Sequence, residues 1–168
     1  RAPAAIFDNG LAHAPVSIWK REQPAHRADD ATNAWFSAQL GKPAVLWRLV
    51  PDSALHFGDS QPVMVLNQAT ADAIAAALGR PFGPAQLRPN IVLSQGEAFA
   101  EASLGTLTFG DLVLEPVEPC TRCKMINLTP GADRYPDELD VSRVLKGMDV
   151  DFVAGMHYRV AVPGTLSL

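Results

Sequence analysis

The sequence predicts a β-rich α+β fold, with strands closing into a barrel or nearly so and a few peripheral helices packed outside it. Three observations carry this. Many stretches of five to seven residues are apolar or alternating and end at Gly, Pro or Asp. Only two stretches carry clear helical periodicity with caps. The 14 prolines and 12 glycines are scattered through the chain rather than blocked, which fits many turns and no long linker.

Taken in order, PVSIWK (15–20) reads as a short strand. ADDATNAWFSAQLG (28–41) reads as a helix capped by Asp29 or Asp30 and ended by Gly41, with Ala31, Ala34, Trp35 and Ala38 on its apolar face. AVLWRLV (44–50) is a strand stopped by Pro51, and PVMVL (62–66) is a buried one. TADAIAAALG (70–79) is the second helix. Thr70 is its cap, Ala71, Ile74, Ala75 and Leu78 form its stripe, and Gly79 follows it. Strands are then expected at 90–94, 105–110, 112–118, 124–129 and 157–162, with a short helix over 139–146. Trp19, Trp35, Trp47 and Phe99 fall where core residues are expected.

The 168 residues suit a domain of ordinary size, and 48% hydrophobic content supports a core. The net charge of -4 argues against a protein that coats nucleic acid. No apolar run reaches the ~18 residues of a membrane-spanning helix, so no transmembrane segment is expected. The first residues, RAPAAIFDNG, read as neither a signal nor a transit peptide. They lack an initiator methionine, so the chain is expected to begin partway through a longer protein.

The only two cysteines, Cys120 and Cys123, lie in EPCTRCKM (118–125). A bridge between them would close a tiny loop and add little stability, so a reducing, cytoplasmic setting is the default. Structural zinc wants four ligands, and His13, His26, His56 and His157 show no matching spacing. A thioredoxin-type dithiol opens a helix after a strand, whereas KMINLT (124–129) looks β-like here. On the cysteine motif alone, two ordinary buried thiols remain the simplest reading.

The motif has company. LRPNIVLSQGEAFAE (87–101) precedes it, followed by LTFGDLVLEPVEPCTRC (107–123). This order resembles the MOSC domain family, the molybdenum-cofactor sulfurase C-terminal domains. Members typically carry Arg-Pro-Asn-Ile-Val, then Gly-x-Glu-Ala-Phe, then Pro-Cys-Ser-Arg-Cys. DATNAWFSAQLGKPAVLWRLV (30–50), DSQPVMVLNQATADAIAAALG (59–79) and DVDFVAGMHYRVAVPGTL (149–166) are similar to further elements of its reductase branch, the amidoxime-reducing component and bacterial relatives. After the second cysteine the family usually continues Thr-Thr-Val-Asp-Pro, whereas this chain reads Met125-Ile126-Asn127-Leu128-Thr129-Pro130.

The resemblance implies a MOSC-type barrel over 15–168, with 1–14 the tail of a preceding β domain or a linker. It implies the molybdenum cofactor, molybdenum on a pterin dithiolene, with Cys123 as the thiolate ligand to the metal. Thiolate is a soft donor suited to that role, and a neighbouring Arg122 guanidinium is expected to favour the ionised thiol. Arg88 is expected to hold the phosphate or the pterin edge, since its planar fork suits both. Asn90 offers an amide to the pterin, and Thr121 keeps the hydroxyl of the usual serine. Asn67 sits where a strand feeds a helix N-terminus, a place that receives phosphate. Glu97 is expected to fix its loop. By the same resemblance the whole protein is a reductase of small N-hydroxylated compounds, supplied with electrons by a flavin or iron–sulfur partner. The alternative is a non-catalytic carrier of the cofactor, or of a sulfur atom held on Cys123 as persulfide.

Overall fold

The structure, a computed structural model, describes residues 13–18, 20–50, 61–136 and 140–166. Trp19, His56 and the proposed tail before residue 13 lie outside them. The chain divides into two compact units, 1–60 and 61–168.

In the first unit, β1 (His13–Ile18), β2 (Arg21–Arg27) and β3 (Trp47–Leu49) form an antiparallel sheet in that order. Helix α1 (Asp30–Leu40) starts where expected: the Asp29 carboxylate accepts from the Thr32 N–H and hydroxyl, and Gly41 closes the helix in the left-handed conformation. Those bonds hold the Asp29 carboxyl below its usual range. The predicted apolar face is not the buried one. Ala31, Ala34 and Ala38 are exposed, while Thr32 and Asn33 are buried. The reason is backbone satisfaction: the Asn33 amide donates to Ala28 O and accepts from Leu46 N, tying the helix to the chain entering β3.

The second unit runs β4 (Val63–Asn67), α2 (Gln68–Leu78), α3 (Pro84–Leu87), β5 (Ile91–Leu93), β6 (Leu107–Phe109), β7 (Leu112–Thr121), α4 (Asp140–Gly147) and β8 (Val153–Val162). Single 3-10 turns occupy Ala100–Ser103 and Lys124–Asn127. The five strands make an open, half-barrel sheet of order β5-β4-β8-β7-β6, in which only β4 and β5 are parallel. The fold is thus β-rich α+β, and the described residues show the half-barrel with β5 and β6 at its edges.

Strand alternation sorts the core into two faces. Met64 and Leu66 of β4 join Ala71 and Ile74 of α2, Leu87, Cys120, Ile126, and Val141 and Leu145 of α4. Val65, one residue out of phase, packs instead with Leu114, Met156 and Tyr158. A one-residue alternation that buries both faces explains the continuous apolar run of β4. Helices α2, α3 and α4 all serve the first face.

Strand β7 is irregular. It holds Pro116 and Pro119, and its pairing with β8 shifts register at three places. Its pairing with β6 covers only Leu112 to Leu114, so the prolines fall where one side of the strand has no partner strand among the described residues.

Tyr158 lies at the centre of the second core face with its hydroxyl donating to Leu104 O and Gly105 O, both at 3.3 Å. Burial first, and the Glu101 charge second, push its phenol above the usual range. A raised folded-state value stabilises the fold below the unfolded value of about 10, and that stabilisation is lost as pH rises through the folded value. Urea midpoints measured from about pH 9 to 11.5 should therefore fall more steeply in wild type than in Tyr158→Phe.

Candidate functional site

The candidate residues lie on three chain segments of the second unit. Strand β7 ends at Thr121, and Cys123 then heads the 3-10 turn over Lys124–Asn127. The expected strand at 124–129 is replaced by this turn. Ile126 and Asn127 are buried: Asn127 donates to Lys124 O and Ser142 Oγ, and its Oδ1 accepts from Ser142 N at the start of α4. The alternating pattern of KMINLT hid a turn fixed by one polar side chain. A strand followed by a helical turn is also closer to the dithiol arrangement than the sequence suggested. The two sulfurs nevertheless diverge. Cys120 is 2% exposed within the core, Cys123 is exposed, and no disulfide joins them.

The second segment is the loop after α3. That helix, unexpected from the sequence, starts with Pro84 at its first position and ends with Arg88 in the left-handed region (φ 57°). A non-glycine residue held there costs on the order of 1 kcal/mol and persists only where its surroundings insist on it. Gln86, buried, donates to Ile126 O at 2.9 Å, and Arg122 Nη2 donates to Leu87 O at 2.6 Å. The residue before Arg88 and the residue before Cys123 are thus one hydrogen bond apart. Asn90 completes the loop: its N–H donates to Met64 O, and its Oδ1 accepts from Met64 N at 2.8 Å.

The third segment is the strand-to-helix junction at Asn67. Asn67, not Thr70, caps α2, accepting from Ala69 N, while its amide donates to Glu97 O at 3.1 Å. Thr70 is instead buried and donates to Glu101 Oε2. The loop is held by Glu101 rather than by Glu97, whose carbonyl rather than carboxylate makes the recorded contacts. Gly96 (φ +115°) lets the loop pass over Asn67, for a Cβ there would stand 2.4 Å from Asn67 Nδ2. Gly96→Ala should cost about 3 kcal/mol, from left-side backbone strain plus loss of the Asn67 bond, read as a lowered urea midpoint with an unchanged slope.

The six residues singled out from the sequence therefore divide. Cys123, Arg88 and Thr121 are exposed, and their side chains make no hydrogen bond or ion pair among the described residues. Asn90 uses its Oδ1 internally and leaves Nδ2 uncommitted. Asn67 and Arg122 spend their polar atoms on the protein itself. Arg122 Nη1 lies 2.8 Å from Cys120 Sγ and 2.9 Å from Met64 Sδ. The sequence suggested this guanidinium as a neighbour of the Cys123 thiol, and the hydrogen bond it makes to a thiol is to Cys120.

A cavity of about 290 Å³ lies nearby, lined by Phe99, Glu101, Pro119, Val150, Asp151 and Ala154 among others, and by none of the six. Among the described residues no three His, Cys, Asp or Glu side chains form a metal-binding cluster.

Cys123 and Arg88 are thus exposed on two loops that the Arg122–Leu87 hydrogen bond ties together. The MOSC domain model matches residues 52–168. The chain belongs to the MOSC domain family. The MOSC chain is 34% identical over 120 residues to mitochondrial amidoxime-reducing component 1 of Mus musculus, covering 66% of this chain and 35% of that protein. It is 30% identical over 80 residues to the Homo sapiens protein of the same name, 48% of this chain and 24% of that one. It is 31% identical over 159 residues to molybdenum cofactor sulfurase of Drosophila grimshawi, 86% of this chain and 20% of that protein. The MOSC chain thus spans about a third or less of these relatives' lengths. No helix among the described residues is long and apolar enough to cross a membrane.

Proposed function

We propose that the chain is the molybdenum-cofactor-binding domain of a cytoplasmic reductase of small N-hydroxylated compounds, with the Cys123 thiolate as the protein's ligand to the metal. The observation that carries this reading is the pairing, on adjoining loops, of an exposed thiol at Cys123 with an unengaged guanidinium at Arg88. The donor set fits the group. A lone thiolate supplies one soft sulfur, as a metal already held by a dithiolene would need. The Arg88 fork suits a terminal phosphate or the hydrogen-bonding edge of a pterin. The Thr121 hydroxyl and Asn90 Nδ2 offer further polar contacts. In this reading residues 15–168 form the domain and 1–14 a tail or linker.

When bound, the cofactor would supply oxygen transfer away from an N–O bond, with electrons from a flavin or iron–sulfur partner. The chain's own part is to hold: Cys123 fixes the metal, and Arg88, Asn90 and Thr121 orient the pterin. The test is elemental analysis and turnover of an N-hydroxylated substrate by protein from a host that makes the cofactor. About one molybdenum per chain with turnover supports the enzyme. Arg88→Ala should lower retained molybdenum by about tenfold while leaving thermal stability unchanged, because the side chain is exposed and makes no hydrogen bond or ion pair among the described residues. Equal occupancy in both proteins would remove Arg88 from the site.

The alternative is a carrier that holds the cofactor, or persulfide sulfur on Cys123, for delivery elsewhere. It is favoured by the exposure of Cys123 and by the longer match to a protein named molybdenum cofactor sulfurase. Mass spectrometry of freshly isolated protein separates the two: a 32-dalton adduct (one sulfur atom) on Cys123 without metal supports the carrier.

A further inference from the structure

We infer that Arg122 is a positioning residue, which fixes the spacing of the Arg88 and Cys123 loops and does not itself touch the cofactor. The inference rests on the proposed molybdenum site for its consequence, and on geometry alone for the device. Around the guanidinium stand four acceptors from four parts of the unit. They are Leu87 O at 2.6 Å, Cys120 Sγ at 2.8 Å, Met64 Sδ at 2.9 Å and Ala154 O at 3.5 Å. The Arg122 backbone N–H adds a fifth tie, to Phe152 O at 2.9 Å. Strands β4, β7 and β8 and the end of α3 are joined through this one residue.

Two of the acceptors are sulfur and therefore weak. The short bond to Leu87 O is the strong one, and it falls on the carbonyl immediately before the left-handed Arg88. Holding that carbonyl maintains the strained turn that sends the Arg88 guanidinium outward. Arg122 Nε is buried with no acceptor, at a cost of about 1–3 kcal/mol. The bonds of Nη1 and Nη2 offset that cost, and a lysine ammonium cannot reproduce the angles of the planar fork. With Nε enclosed and both terminal nitrogens held by these acceptors, the Arg122 guanidinium is committed to the protein itself.

The test compares wild type, Arg122→Lys and Cys120→Ala by two readouts. The first is the reaction of 5,5′-dithiobis(2-nitrobenzoate) with cofactor-free protein. In wild type Cys123 reacts at once, and Cys120 only through rare local opening. In Arg122→Lys the Cys120 rate should rise about tenfold or more. The second readout is molybdenum content and the sulfur shell at the metal edge by X-ray absorption. Arg122→Lys should retain about tenfold less molybdenum, with a broadened sulfur shell in what remains. Cys120→Ala, which removes an acceptor that reaches no solvent, should lower molybdenum more mildly, by about two- to fivefold.

Lost molybdenum in Arg122→Lys with wild-type Cys120 reactivity would mean direct contact with the cofactor and overturn the inference. A molybdenum loss of about tenfold or more in Cys120→Ala, which leaves the Leu87 bond in place, would overturn it too, and needs no folded Arg122 variant. If wild-type protein holds no molybdenum the functional reading fails on its own. The thiol rates then still decide whether Arg122 holds the two loops, unchanged Cys120 reactivity in Arg122→Lys counting against it.

Discussion

Cys123→Ala should strip molybdenum from the protein by at least about tenfold and leave the fold intact. The thiol is exposed, it heads a one-turn 3-10 helix without capping it through its side chain, and no side chain of the core touches it in any recorded contact. Surface substitutions of this kind shift stability by about 0.5 kcal/mol or less. Stability and metal content thus come apart, which they would not for a residue of the core. Cys120→Ala makes the contrast. That thiol lies among Met64, Leu66, Leu87 and Ile126, so its loss costs stability as well as some metal. Paired measurements of melting temperature and elemental content on both variants check this. Wild-type molybdenum in Cys123→Ala would end the assignment of the metal ligand.

The largest stability effect is expected at Glu101, a residue the sequence reading passed over. It is 0% exposed. Its Oε2 accepts from the Thr70 hydroxyl at 2.8 Å and its Oε1 from Gly155 N–H at 3.2 Å. The Thr70 oxygen in turn accepts from Phe99 N at 2.7 Å. One carboxylate therefore joins α2, the 3-10 turn at Ala100–Ser103 and β8. Gly155, in positive φ, allows β8 to come close, since a Cβ there would sit 3.2 Å from Val65 O. Glu101→Leu leaves two buried donors without acceptors, each worth about 1–3 kcal/mol, for a total of about 3–4 kcal/mol. In a unit of this size that lowers the melting temperature by roughly 10 °C or more. Glu101→Gln keeps one acceptor for Gly155 and should lose about half as much. Calorimetry on the three proteins checks the order.

Residue patterns carried some of this structure and not the rest, for reasons visible at particular positions. The β4–α2 unit was legible because Val63–Asn67 is apolar throughout and Gly79 ends the helix in the conformation glycine favours. The Arg-Pro-Asn and Cys-Thr-Arg-Cys segments stood out as motifs, and Cys123, Arg88 and Thr121 are exposed. What failed was the reading of polar residues as surface. Asn33, Asn127, Gln86 and Glu101 are all buried, and each is satisfied by a partner far along the chain. Such partners leave no periodic mark, so the α1 face, the turn at 124–127 and the short α3 could not be read from local spacing. Arg122 shows the same limit: adjacency in sequence pointed to Cys123 and gave no sign of the bonds to Cys120 Sγ and Leu87 O.

The prolines of β7 bear on how the molecule behaves among its neighbours. From Glu115 to Thr121 the strand has β8 on one side and no strand on the other among the described residues. An uncovered edge of that kind invites a second molecule to add its own strand. Pro116 and Pro119 have no amide hydrogen to offer, and the repeated shifts of register deny an incoming chain a flat ladder. The same irregularity that delivers Cys123 to the surface thus guards the molecule against growing into aggregates at high concentration.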